Sequence, residues 1–72
     1  MKYVFEPEKL KARRVELDLT LRQLEKLSGV TYSNIGKIEN GKREPAANTL
    51  GALAGALKVT PNYFYIKKTA ES

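Results

Sequence analysis

A hydroxyl nucleophile needs a base beside it, and the chain contains no histidine to serve Ser28, Ser33 or Ser72. The carboxylates are scattered over stretches that also carry Lys and Arg, so no acid pair stands apart for proton transfer. With cysteine absent as well, zinc and most transition metals lose their usual ligands. One spacing imitates a phosphate loop: Gly36, Gly41 and Lys42 in "GKIENGKR" satisfy G-x4-G-K. The next residue is Arg43 where a magnesium-binding Ser or Thr belongs, and no strand precedes the first glycine. The expectation from these residues is a protein that is not an enzyme, with no cofactor and no metal.

A different chemistry is available in "SGVTYSNIGKIENGK", Ser28 to Lys42. Stepping about 100° per residue, with Ile35 and Ile38 facing inward, puts Ser33, Lys37 and Asn40 on the opposite side. Gly36 falls beside them, Tyr32 at the exposed first turn, and Glu39 on the flank of the apolar face. Hydroxyl, amide and ammonium groups on one face are the groups that bond to base edges and phosphates. They are also what an ordinary solvated helix face carries. Gly36 costs such a helix about 1 kcal/mol relative to alanine, and it lets something large come close.

The elements that would hold this face can be read from caps and breakers. Pro7 opens a helix that ends at Leu17, before Asp18. Thr20 and Gln23 form a capping box for a second helix, which stops at Gly29. Thr31 caps a third, with Gly41 just past its end. Leu50, Leu53, Ala54 and Leu57 give a fourth helix its apolar stripe. Thr60 and Pro61 signal a fifth. "MKYVF" reads as a loose arm rather than a strand, and "KKTAES" as a frayed tail. The expected architecture is an all-α, five-helix domain filling 1–72, with its core over about 7–66.

Whole-chain properties agree with a small body that folds on its core alone. Seventy-two residues at 42% apolar and 29% charged are ordinary for a globular domain. No apolar run is long enough to span a bilayer, and the first residues lack the apolar stretch of a signal peptide. The expected setting is soluble and cytoplasmic. Thirteen Lys and Arg against eight Asp and Glu leave +5, a balance that favours polyanions.

Two capped helices joined by a tight turn, "TLRQLEKLSGVTYSNIGKIENGK", make a helix-turn-helix unit, which presents the polar face of its second helix outward. The chain here resembles the Cro/repressor-type helix-turn-helix (XRE) family over about Leu10 to Phe64. The resemblance rests on Arg-x-x-x-Leu-x-Leu-Thr at 13–20, Ser-Gly-Val-Thr at 28–31 and Ile-x-x-Ile-Glu-Asn-Gly-Lys at 35–42. Pro45 and Thr-Leu-x-x-Leu-Ala-x-Ala-Leu at 49–57 complete it.

The resemblance implies a five-helix lambda-repressor-like domain that binds double-stranded operator DNA, usually as a homodimer on inverted half-sites. It implies base-reading roles for Tyr32, Ser33 and Lys37. Backbone contacts fall on Leu21, Thr31, Asn40, Lys42 and Arg43, and an ion pair on Arg14 and Glu39. Leu21 stands where the family commonly has glutamine, so either its backbone N–H binds an anion or its side chain packs into the core. Glu25 replaces a small alanine, and either points aside or pairs with Arg22 or Lys26. The function implied is a transcriptional regulator, a repressor by type. The competing reading is a protein-interaction module, an antitoxin or adaptor, whose binding would not weaken steeply with salt on random DNA.

Overall fold

Local capping chemistry sets most helix boundaries in the computed structural model, which describes residues 2–68. Helix α1 (Pro7–Glu16) opens on Pro7, whose fixed φ suits a first turn and whose missing N–H costs nothing there. Leu17 caps its end, and Asp18 follows in left-handed backbone at φ 58°. Helix α2 (Leu21–Ser28) begins with the full capping box. The Gln23 N–H donates to Thr20 Oγ1 at 3.1 Å, and the Thr20 N–H donates to Gln23 Oε1 at 2.8 Å. It stops at Gly29, whose φ of 81° is backbone that a β-carbon resists.

Helix α3 (Tyr32–Glu39) starts from Thr31, whose hydroxyl accepts the Asn34 N–H at 3.2 Å. Helix α4 (Ala47–Ala56) places Leu50, Leu53 and Ala54 inward, with Leu57 buried at its cap. Its N-cap is Ala46, which has no side chain able to bond the first free N–H groups.

The five-helix expectation is corrected at both ends. Pro61–Phe64 is a single 3-10 turn, and the chain then runs into a strand. Strand β1 (Lys2–Phe5) pairs antiparallel with strand β2 (Tyr65–Lys68), Lys2 opposite Lys68 and Phe5 opposite Tyr65. The expected loose arm is therefore β1, and the expected tail begins as β2; residues 69–72 lie outside the described residues. Among the described residues the molecule is mostly helical, with four α-helices and a two-stranded sheet.

Four-residue strands are too short to show alternation. Their stability comes from contacts about sixty residues apart: Phe5 packs against Phe64 and Tyr65 at centroid distances of 6.3 and 6.0 Å. The Glu6 N–H also donates to the Phe64 carbonyl at 2.8 Å.

The core lies where α1, α2, α3 and α4 converge. Leu10, Leu24, Ile35, Ile38, Leu53, Leu57 and Phe64 are fully enclosed there. Each contributes about 1.5–3 kcal/mol over leaving it exposed. Leu17 packs against this group from a half-buried position. Of the three aromatics near the end, Phe64 enters the core, Tyr65 flanks it, and Tyr63 stays 39% exposed. Among the described residues, no helix is long and apolar enough to cross a membrane.

Candidate nucleic-acid interface

The outward face belongs to α3, which contacts both α1 and α2 and buries Ile35 and Ile38 between them. With those two residues fixed inside, Tyr32, Ser33 and Lys37 project into solvent. Asn40, the C-cap, is exposed beyond them, and Thr31 is exposed at the start. Gly41, at φ 76°, turns the chain out of the helix, after which Lys42 and Arg43 are both exposed. Thus seven of the eight residues given DNA roles by resemblance are exposed on or beside one helix: Thr31, Tyr32, Ser33, Lys37, Asn40, Lys42 and Arg43.

Leu21 is the exception. It is half-buried and packs against the core, with its Cδ1 3.9 Å from the point a β-carbon on Gly36 would occupy. Of the two alternatives open in the sequence, its side chain takes the packed one. Glu25 is half-buried and makes no ion pair among the described residues, so it points aside.

The turn between the two helices is stitched by a hydroxyl. Ser28 Oγ donates to the Leu24 carbonyl at 2.8 Å and accepts the Val30 N–H at 3.1 Å. This one residue closes the end of α2 and fixes the path to Thr31.

At the other end of α3, Arg14 ties three segments together. Its Nε donates to Glu39 Oε2 at 2.7 Å and its Nη2 to Glu39 Oε1 at 3.0 Å, while Nη1 donates to the Leu19 carbonyl at 2.7 Å. The side chains are 12% and 5% exposed. The Glu39 hydrogen bond raises the Arg14 pKa; burial opposes this, and the Glu39 charge adds to it. Its neighbour Arg13 reaches the opposite way, donating from Nε to the Leu57 carbonyl at 3.0 Å, at the end of α4. Two adjacent arginines on α1 thereby anchor α3 and α4.

Four contributions were missed in the sequence. Arg13 and Ser28 act through backbone carbonyls, which no side-chain pattern reveals. Asn34 accepts from Arg43 Nη1 at 2.9 Å, folding the segment after α3 back along its side. Arg22 is the fourth: its guanidinium lies 4.3 Å from the centroid of the Tyr32 ring. The available signal was a cation in the first turn of α2, where the helix dipole disfavours it.

A helix-turn-helix family model (HTH_3) matches residues 10–64, most of the chain and all of this geometry. The chain belongs to the helix-turn-helix family. This helix-turn-helix chain is 49% identical over 53 residues to the HTH-type transcriptional repressor RghR of Bacillus subtilis, a match covering 72% of the chain and 39% of that protein. Against the P22 c2 repressor solved with a synthetic operator, the TM-score is 0.78 at 33% identity, covering 85% of this chain and 92% of that one. The restriction-modification controller protein C.AhdI from Aeromonas hydrophila gives a TM-score of 0.77 at 29% identity, covering 81% and 88%. The chain spans about two fifths of the length of the curated relatives it matches, 39% and 41%.

Proposed function

We propose that the chain is a sequence-specific DNA-binding transcriptional regulator, acting as a repressor on an inverted-repeat operator as a homodimer. The observation that carries this reading is the division of α3. Ile35 and Ile38 hold it to the body, while Tyr32, Ser33 and Lys37 stand in solvent with no role in the core. A helix of this length, backed by a second helix, fits the major groove, which is about 12 Å wide. The net charge of +5 supplies the attraction to a polyanion. RghR is named a transcriptional repressor and the P22 c2 repressor was solved in complex with a synthetic operator, which supports the same assignment.

In this reading α3 enters the major groove. Lys37 donates to guanine O6 and N7, and the Tyr32 and Ser33 hydroxyls bond neighbouring base edges. Thr31, Asn40, Lys42 and Arg43 grip phosphates at the two rims and fix the register. Leu21 contributes its backbone N–H rather than its side chain. Repression then needs no chemistry, only occupancy of the operator.

Selection of bound sites from random duplexes, followed by titration of the best site across a salt series, tests the assignment. Enrichment of one inverted-repeat motif, with affinity falling steeply as salt rises, is expected. Binding that is weak, unselective and insensitive to salt contradicts it and favours a protein partner for the same face.

A further inference from the structure

The first two residues of α2 divide their roles sharply. The Leu21 side chain turns inward over Gly36 and carries no polar group. Arg22 is exposed, and among the described residues its guanidinium enters no side-chain hydrogen bond or ion pair. It lies instead over the ring of Tyr32, 4.3 Å from the centroid.

Among the described residues no carboxylate of α2 pairs with this cation: Glu25, three residues on, makes no ion pair with it. The positive end of the helix dipole opposes it, and the first turn holds no acidic residue to pair with it. Stacking uses only the flat face of the guanidinium, so its edge N–H groups remain available as donors. A free surface arginine samples many rotamers. One laid on an aromatic plate is already ordered, so less freedom is lost when it binds. Tyr32 is the first residue of α3 and borders Ser33 on the outward face. The stacked edge therefore sits on the helix behind α3, the one that crosses the duplex backbone in helix-turn-helix docking.

We propose that Arg22, held flat on the Tyr32 ring, grips a DNA phosphate at the rim of the groove, making the contact for which the Leu21 side chain has no donor. This rests on the DNA-binding reading above. Tyr32 then has two tasks: its hydroxyl faces the bases, and its ring orients the arginine. The contact is a charge-assisted donation to phosphate oxygen, which attracts any duplex regardless of sequence.

A two-by-two set of full-length variants tests the proposal: wild type, Arg22→Ala, Tyr32→Leu, and both together. Tyr32→Leu keeps bulk at the start of α3 while removing the π face. Each is titrated with the preferred duplex and a scrambled duplex across a salt series. Both side chains are exposed, so melting temperatures should stay close to wild type.

Arg22→Ala is expected to weaken both duplexes by the same factor and to make the salt slope shallower by about 0.9 per monomer. In the Tyr32→Leu background, removing Arg22 should cost a clearly smaller factor. A loss confined to the preferred duplex would make Arg22 a base reader, and an unchanged slope would remove it from the interface. An equal factor in both backgrounds would show that the stack does not orient it. Each of these overturns the proposal while leaving the DNA-binding reading intact. Wild-type protein that binds no duplex in a salt-dependent way overturns that reading itself.

Discussion

Arg14 and Glu39 meet in a two-point ion pair, Nε to Oε2 at 2.7 Å and Nη2 to Oε1 at 3.0 Å, at the end of the helix that carries the proposed interface. The same guanidinium also bonds the Leu19 carbonyl, so it fixes α1, the segment before α2, and α3 together. Removing Arg14 from this largely buried pair leaves the Glu39 carboxylate, 5% exposed, without its partner. Arg14→Ala should lower stability by about 3–5 kcal/mol. The double change Arg14→Met, Glu39→Leu should recover much of that loss. Because the Arg14 pKa is raised, its contribution is fully present below the ordinary arginine range and lost only above it. It adds no pH dependence near neutrality. Urea melts at neutral pH read these effects directly, and an unchanged midpoint for Arg14→Ala would show the pair to be worth no more than a surface bridge.

Ala46 is an N-cap with no capping group, at φ −68° and ψ 163°, backbone well suited to a serine cap. Ala46→Ser should stabilise the protein by about 1 kcal/mol, since its hydroxyl can accept one of the free N–H groups of α4. That corresponds to a rise of roughly 4–8 °C in Tm for a chain of this size. A melt showing no gain would mean that the first turn of α4 is already satisfied by solvent.

Gly36 is not demanded by the fold. Its nearest neighbour to an added β-carbon is Leu21 Cδ1 at 3.9 Å, an ordinary contact. Gly36→Ala should therefore stabilise the helix by up to about 1 kcal/mol. If the glycine exists to let the duplex approach, the same variant should bind the preferred site several-fold more weakly. A variant that is more stable and binds as tightly as wild type would leave Gly36 without a role at the interface.

One α3 of eight residues reads few base pairs, so the dimer reading makes a geometric demand. Half-site centres should lie roughly 34–36 Å apart, one turn of the duplex. Inserting about five base pairs between half-sites would rotate the second module to the far side. Gel-shift titrations should then show tight binding largely lost. Survival of tight binding would rule out a rigid dimer.

The helices were legible because their signals are local. Thr20, Gln23, Gly29 and Thr31 each act within four residues of themselves, and each marks a boundary that the structure keeps. The stripe of Leu50, Leu53, Ala54 and Leu57 likewise needs only one helix to be seen. The sheet failed this test: Val4 and Ile66 pair across the whole chain, and neither strand is long enough to display a period of two. The fifth helix failed for a related reason. Thr60 and Pro61 start a turn correctly, but pairing of Tyr65 with Phe5 draws the chain extended before a second turn can form.

For the interface, helical geometry alone placed Ser33, Lys37 and Asn40 outward. It could not show Arg22 on Tyr32 or Asn34 on Arg43, since both contacts join residues whose meeting depends on how the segments pack.

Lys37 gives the most direct test of the central claim, that the outer side of α3 serves DNA rather than folding. It is exposed opposite Ile35 and Ile38, so Lys37→Ala leaves no cavity and should change stability by about 0.5 kcal/mol or less. The decisive measurement is the affinity of Lys37→Ala relative to wild type on the preferred site and on a scrambled duplex, at one salt concentration. A loss of roughly 1–3 kcal/mol on the preferred site, with little change on the scrambled one, is predicted. Equal weakening of both duplexes would make Lys37 a phosphate contact, and no change on either would remove this face from DNA altogether.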